Sequence, residues 1–256
     1  TYATNGQGFY GVDMRTGKEG TIQAFPSPSE LWGMTFAEAD DWRDRFGEIP
    51  YEDKGGYFVP RYYQDTAVDR VLEAIAAKQN RILLTLATGT GKTRTTVGLV
   101  DVLMRARWAK RVLFLVDRIA LRDQALSAFK EHLNEPSVWP KPGEYKFPHD
   151  RRIYVQTYPT MLNKISEDEY LSPHFFDLIV ADEAHRSLFH IYKQVLDHFD
   201  CFKVGLTATP REQVHRSSFK LFDCRDNIPT YDYTYEEAVS DKHLCDFEVL
   251  KMQTRF

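Results

Sequence analysis

Leu83–Thr93 reads LLTLATGTGKT, and the rest of the chain is organised around it. Ile82, Leu83, Leu84 and Leu86 form an apolar run that gives way to Ala87-Thr88-Gly89-Thr90-Gly91-Lys92-Thr93, and a helical pattern follows at once. This is the pattern of a buried strand, a glycine-rich loop and a helix N-terminus. Such a loop turns backbone N–H groups inward, where they and the helix dipole cradle phosphates. Lys92 would then meet the β- and γ-phosphates and Thr93 would offer its hydroxyl to Mg²⁺. The strict spacing GxxxxGK[ST] asks for glycine where this chain has Leu86. Taken alone, LATGTGKT competes with an ordinary Gly-Thr turn between strand and helix.

Composition narrows the class without naming a ligand. The 256 residues are 43% hydrophobic and 14% aromatic, enough for a sizeable core. A net charge of −4 and a pI near 6.1 do not point to nucleic acid, although a local groove can be basic on an acidic protein. Cys201, Cys224 and Cys245 have no metal-ligand spacing and read as reduced thiols of a cytoplasmic protein. No apolar run is long enough for a membrane span and no signal peptide is visible, so no membrane partner is expected. The chain starts at Thr1, which reads as a fragment or a processed product.

The N-terminal residues 1–30 read as a β-hairpin of Phe9–Met14 and Thr21–Phe25, with Ser29 as the N-cap of a short helix. Two strands need further partners to be stable, so residues 1–46 are expected to close a domain whose larger part lies upstream. Residues 47–60, with Pro50, Gly55, Gly56 and Pro60, read as a linker. From residue 61, helical patterns alternate with strands that are apolar on both faces. They predict an α/β domain over residues 61–230, a parallel sheet covered by helices on both faces. Asn134–Pro148 carries four prolines and reads as a surface loop. Gln64, in the first turn of the helix before the loop, is placed to read an adenine edge with one donor and one acceptor.

Ligands of such sheets bind at the carboxyl ends of the strands. The strand Leu178–Ala181 delivers Asp182-Glu183-Ala184-His185. Asp182 can hold Mg²⁺ and Glu183 can orient and deprotonate an attacking water. An isolated Asp-Glu pair is usually a solvated helix start, but behind a phosphate loop the two signals support one another. Thr207-Ala208-Thr209-Pro210 ends another strand, where small hydroxyls can link the nucleotide's state to a neighbouring surface. His185, Thr207 and Thr209 are therefore coupling candidates. Arg118, Thr157 and Thr160 end two further strands and could meet nucleic-acid phosphates and sugars, a sequence-independent mode of binding.

In order, Gln64, ATGTGKT (87–93), VDRIALRDQA (116–125), QTYPTM (156–161), DEAH (182–185) and GLTATP (205–210) resemble the first RecA-like motor domain of superfamily 2 helicases and translocases. Leu86, together with DEAHRS and the leading segment YATNGQGFYGVDMRTGKEG, is similar to the R (restriction) subunits of type I restriction-modification systems. The resemblance implies a RecA-like P-loop NTPase domain that uses ATP and Mg²⁺, with Lys92, Asp182 and Glu183 catalytic and Thr88–Thr93 with Gln64 holding the nucleotide. It implies a DNA-dependent ATPase that pumps double-stranded DNA past methyltransferase and specificity subunits before endonucleolytic cleavage. The nuclease core is then expected upstream of Thr1 and a second RecA-like domain beyond Phe256, with residues 231–256 as the passage into it. The fragment alone is expected to turn over little ATP. Two rivals stay open: another superfamily 2 motor (a type III restriction subunit, a repair helicase or a DEAH RNA helicase) and a nucleotide-binding module that hydrolyses nothing.

Overall fold

Strand β4, Arg81–Leu86, is buried from Ile82 onward, as its uninterrupted apolar sequence requires of a strand covered on both faces. It belongs to a computed structural model that describes residues 2–12, 19–28, 30, 60–133, 137–141, 147–166, 171–182, 189–208 and 215–246. The chain divides into two compact units, Thr1–Asp44 and Arg45–Phe256.

In the first unit, β1 (Tyr2–Thr4), β2 (Phe9–Val12) and β3 (Glu19–Ile22) form an antiparallel sheet in sequence order. The sequence reading missed β1, because three residues are too few to show an alternating pattern. What specifies the β1–β2 connection is turn chemistry. Asn5 Oδ1 accepts from the N–H groups of Gln7 and Gly8 at 3.0 and 3.1 Å, and Gly6 takes φ +84°. Phe25 packs edge-on against Phe9 with ring centroids 4.7 Å apart. Ser29, read as a helix N-cap, lies outside the described residues, but its neighbours show capping chemistry. Ser27 and Glu30 form the reciprocal pair of a capping box: Glu30 N–H donates to Ser27 Oγ at 3.2 Å and the Glu30 carboxylate accepts from Ser27 N–H at 2.8 Å.

The second unit is built on a seven-stranded sheet of order β10-β4-β9-β8-β5-β7-β6 in which every neighbouring pair is parallel. Its other strands are β5 (Val112–Val116), β6 (Val138–Trp139), β7 (Ile153–Thr157), β8 (Leu178–Asp182), β9 (Phe202–Thr207) and β10 (Tyr231–Tyr233). The helices are α1 (Tyr62–Ala76), α2 (Lys92–Arg105), α3 (Ile119–His132), α4 (Tyr158–Ser166), α5 (Phe189–His198), α6 (His215–Leu221) and α7 (Tyr235–Ser240). Along the chain α1 packs on α2, α2 on α3, and α4 on α5. The expected α/β architecture is present.

Two segments differ from the sequence reading. Val138–Trp139, inside the stretch read as a surface loop, adds a buried strand beside β7. The reason is Trp139, 2% exposed and packed edge-on against Phe147 at 5.1 Å; the surrounding prolines masked a local anchor. The sheet also extends past residue 230, since Tyr231–Tyr233 pairs with Leu84–Leu86.

Register assigns the faces. Leu83, Gly205, Ala181, Leu115 and Gln156 align across five strands, and Leu83, Ala181 and Leu115 of that row join a core with Tyr158, Met161, Val195, Leu196 and Phe199. Gly205 is bare because Phe222 fills its place: a Cβ there would stand 2.5 Å from the Phe222 ring. Gly205→Ala should therefore cost roughly 1–3 kcal/mol through overpacking, read as a fall of several degrees in Tm. An unchanged Tm would mean that Phe222 is not held against this strand. Burial pushes the Cys201 and Cys224 thiols up to about 12 and about 11, which takes both out of nucleophilic chemistry at neutral pH.

Candidate nucleotide site

The loop 87–93 joins the carboxyl end of β4 to the first turn of α2. Gly89 and Gly91 adopt φ of +89° and +86°, conformations that side chains disfavour. Between them Thr90 turns inward and is 1% exposed. Its hydroxyl donates to Ala87 O at 2.6 Å and its N–H donates to the same atom at 3.3 Å. The Thr90 carbonyl accepts from the Tyr63 hydroxyl at 2.8 Å and from Gln64 Nε2 at 3.0 Å. Thr90 therefore shapes the loop from below and spends its own polar groups doing so.

The remaining backbone N–H groups of the loop are not used in this way. Arg94 and Thr95 donate their N–H groups to Gly91 O at 2.9 and 3.0 Å, starting the helix. No backbone carbonyl among the described residues accepts from the N–H groups of Thr88, Gly89, Gly91, Lys92 or Thr93. Thr88, Gly89 and Gly91 are exposed, and Lys92 and Thr93 half-buried. N–H donors without backbone acceptors at a helix N-terminus form a cradle for an anion. Lys92, the first residue of α2, folds its ammonium back to Leu86 O at 3.3 Å, so the positive charge sits across the mouth of the loop.

Leu86, the departure from the strict spacing, is the fully buried last residue of β4 and packs with Tyr63, Tyr233 and Ala238. It lies in the sheet rather than in the cradle, so a glycine there is not needed for the loop to turn. Gln64 is likewise buried. Its Oε1 accepts from Arg61 N–H at 3.1 Å while its Nε2 serves Thr90. Both halves of the amide are thus engaged with backbone.

Asp182 closes β8 as a half-buried residue, in register with Leu206, which is in turn in register with Leu84. Among the described residues no three His, Cys, Asp or Glu side chains gather as a metal cluster. One aspartate and one threonine hydroxyl near a phosphate cradle are the sparse, hard-oxygen donor set that suits Mg²⁺, which takes its other positions from phosphates and water. Thr207 closes β9, 1% exposed and in register with Thr85. Glu183, His185 and Thr209 lie outside the described residues.

Arg118 and Thr157 sit at the carboxyl ends of the adjacent strands β5 and β7. The Arg118 side chain is 67% exposed, with its Nε 3.4 Å from Asp117. Thr157 is buried, and its hydroxyl shares a hydrogen bond of 2.9 Å with that of Thr160 while accepting from Thr160 N–H at 3.4 Å. The Thr157 hydroxyl thereby caps the start of α4 (Tyr158–Ser166). The side chains that sequence reasoning missed are Tyr63, Tyr233 and Leu244, which back the loop. The Tyr233 carbonyl accepts from Ala87 N–H at 3.0 Å, and Leu244 Cδ2 lies 3.1 Å from where a Cβ on Gly89 would be. The aromatic run Tyr231-Asp232-Tyr233 was the available signal.

Residues 57–212 match the family described as type III restriction enzyme, res subunit. The chain is 34% identical over 98% of its length to the type I restriction enzyme EcoAI endonuclease subunit of Escherichia coli, of which it covers 32%. It is 36% identical over 86% of its length to the EcoKI endonuclease subunit of Escherichia coli strain K12, covering 20% of that protein. It is also similar in structure to a fragment described as an HsdR subunit of a type I restriction enzyme from Vibrio vulnificus YJ016. The TM-score there is 0.59 at 28% identity, over 94% of this chain and 42% of that one. The chain thus spans a third or less of the two curated relatives. A phosphate loop opening a parallel, helix-covered sheet of RecA-like form agrees with each of these matches. The chain belongs to the ResIII family, type III restriction enzyme, res subunit, and is a helicase-like domain similar to part of the type I restriction endonuclease subunits.

Proposed function

We propose that this chain is the nucleotide-binding part of an ATP-driven translocase that moves double-stranded DNA within a type I restriction enzyme, in company with methyltransferase and specificity subunits, in the cytoplasm. The observation that carries this reading is the loop 87–93: five of its backbone N–H groups have no backbone partner among the described residues, and the Lys92 ammonium folds back onto the same loop at Leu86 O. The similarity to type I endonuclease subunits supplies the substrate class.

In this mechanism the loop amides and Lys92 hold the β- and γ-phosphates, and Thr93 and Asp182 hold Mg²⁺. The bound ion neutralises charge on the phosphates. Glu183 positions the attacking water and takes its proton. Gln64 reads the adenine edge, and to do so it must exchange the Arg61 N–H or the Thr90 carbonyl for the purine. His185, Thr207 and Thr209 couple the nucleotide's state to the DNA face, where Arg118, Thr157 and Thr160 meet the sugar-phosphate backbone. Because Thr157 and Thr160 are bonded to each other, Arg118 is the member of that trio with the most freely offered side chain.

The test is ATP hydrolysis by the full-length protein with duplex DNA, single-stranded DNA or RNA. Duplex DNA is expected to stimulate turnover most. Stimulation by RNA alone would overturn the restriction-motor reading, and absence of hydrolysis with every nucleic acid would favour a binding module.

A further inference from the structure

The segment from Tyr231 to Leu244 supports the loop 87–93 at three separate points. Tyr233 O holds Ala87 N–H and Leu244 backs Gly89. The third support is indirect: the Tyr233 ring lies on the Tyr63 ring, with centroids 4.0 Å apart and planes 13° from parallel, and Tyr63 donates to the Thr90 carbonyl. What fixes this arrangement is a carboxylate with no place in the phosphate chemistry. Asp241 Oδ2 accepts the Tyr233 hydroxyl at 2.8 Å and also the hydroxyl of Tyr62, the residue beside Tyr63 on α1.

The spacing between Tyr233 and Asp241 is itself held rigid. Thr234 caps α7 by accepting from Glu237 N–H at 3.1 Å, the Glu237 carboxylate accepts from Thr234 N–H at 2.8 Å, and Asp241 is the residue at the helix's carboxyl end. The two tyrosine hydroxyls hold the Asp241 carboxyl below the usual carboxylate range, so it stays ionised at neutral pH and both hydrogen bonds are charge-assisted.

We propose that Asp241 is a positioning residue for nucleotide binding: by clasping Tyr62 of α1 and Tyr233 of β10 on one oxygen, it holds the stacked Tyr63–Tyr233 pair, the Thr90 carbonyl and hence the open shape of the loop. The inference rests on the reading of residues 87–93 as the nucleotide loop. A loop with two glycines at positive φ is conformationally loose, and a site loses affinity for every degree of freedom the ligand must freeze. The clasp removes that cost before the ligand arrives. It touches no reacting atom, so it acts on affinity and leaves the chemical step alone.

The experiment is ATP binding by calorimetry and steady-state hydrolysis on the full-length protein and four single variants. Tyr233→Phe and Asp241→Asn are expected to raise Kd and KM for ATP roughly fivefold to tenfold, the worth of one such hydrogen bond. In both, kcat at saturating ATP should stay within about twofold of wild type. The double variant should bind no worse than Asp241→Asn alone, because both changes open the same clasp. Tyr62→Phe alters an exposed side chain that no core depends on and should raise Kd roughly twofold to threefold. Thr66→Ala, whose hydroxyl among the described residues bonds only Tyr62 O, at 2.8 Å, should bind as wild type. Wild-type Kd in Tyr233→Phe and Asp241→Asn would overturn the clasp alone, as would a loss confined to kcat. Failure of the wild-type protein to bind ATP would overturn the nucleotide reading and the clasp with it.

Discussion

Lys92→Ala in the full-length protein is expected to reduce nucleic-acid-stimulated ATP hydrolysis by roughly 10²–10³-fold or more, the scale on which losing one preorganised electrostatic group acts. The argument is positional. Lys92 is the first residue of α2, where backbone N–H groups already favour negative charge, and its Nζ lies 3.3 Å from Leu86 O, across the cradle. Phosphates entering the loop would meet the ammonium and draw it off a neutral carbonyl, a weak partner to give up. Charge developing on the phosphoryl oxygens is stabilised only if this group is already there. Methionine at the same position keeps the length of the side chain and removes the charge, so Lys92→Met should fail as badly as alanine. Substantial hydrolysis by either variant would remove Lys92 from the catalytic set.

Gly91→Ala should abolish measurable ATP binding while leaving the protein folded. Gly91 is the N-cap of α2 at φ +86°, ψ +38°, and a side chain in that region costs roughly 1–2 kcal/mol. The second cost is steric: the added Cβ would stand 2.7 Å from Gln64 Nε2, and Gln64 cannot retreat without releasing Thr90 O or Arg61 N–H. Together the two effects come to about 3 kcal/mol or more, a loss of affinity above a hundredfold. Calorimetry with ATP, alongside far-UV circular dichroism to verify the fold, gives the result directly. Affinity near that of wild type would show that the loop tolerates a different shape, and would weaken the assignment of its amides as the phosphate cradle. Pairing Gly91→Ala with Gln64→Ala isolates the steric part: measured against Gln64→Ala alone, the added methyl should cost less than it does in the wild-type background.

The sheet was legible in the sequence wherever strands were apolar on both faces. Ile82–Leu86, Val112–Val116, Ile153–Thr157 and Leu178–Ala181 all declare themselves by composition. Shorter strands declared little. Val138–Trp139 and Tyr231–Tyr233 are held by what they pack against, Phe147 in one case and Tyr63 in the other, and beyond their aromatic residues such contacts have no local signature. For the candidate site, the loop and the ends of β8 and β9 were visible because spacing relative to a strand end is a sequence property. The second role of Thr90 was not. Thr90, read as a ligand-binding residue, is also an inward hook, its hydroxyl committed to Ala87 O. The placement of Gln64 against Gly91 was equally hidden, since 27 positions separate them and only folding brings Nε2 to the loop. Of the linker read over residues 47–60 only Pro60 is described, and Glu183, His185 and Thr209 lie outside the described residues, so their roles rest on sequence alone.

The order of the seven-stranded sheet carries one more consequence. Its two outer members are its shortest: β10 with three residues and β6 with two. A long, flat outer strand exposes a ladder of unsatisfied N–H and C=O groups on which a second chain can extend the sheet, the first step of edge-to-edge aggregation. Parallel sheets are exposed to this hazard for longer than most, because distant segments must meet before any of them is covered. Here the long, strongly apolar strands are confined to the middle, and each border offers a stranger only a few backbone groups to grip. The same brevity that hid β6 and β10 from a sequence reader leaves a sheet this apolar with little edge for another strand to extend.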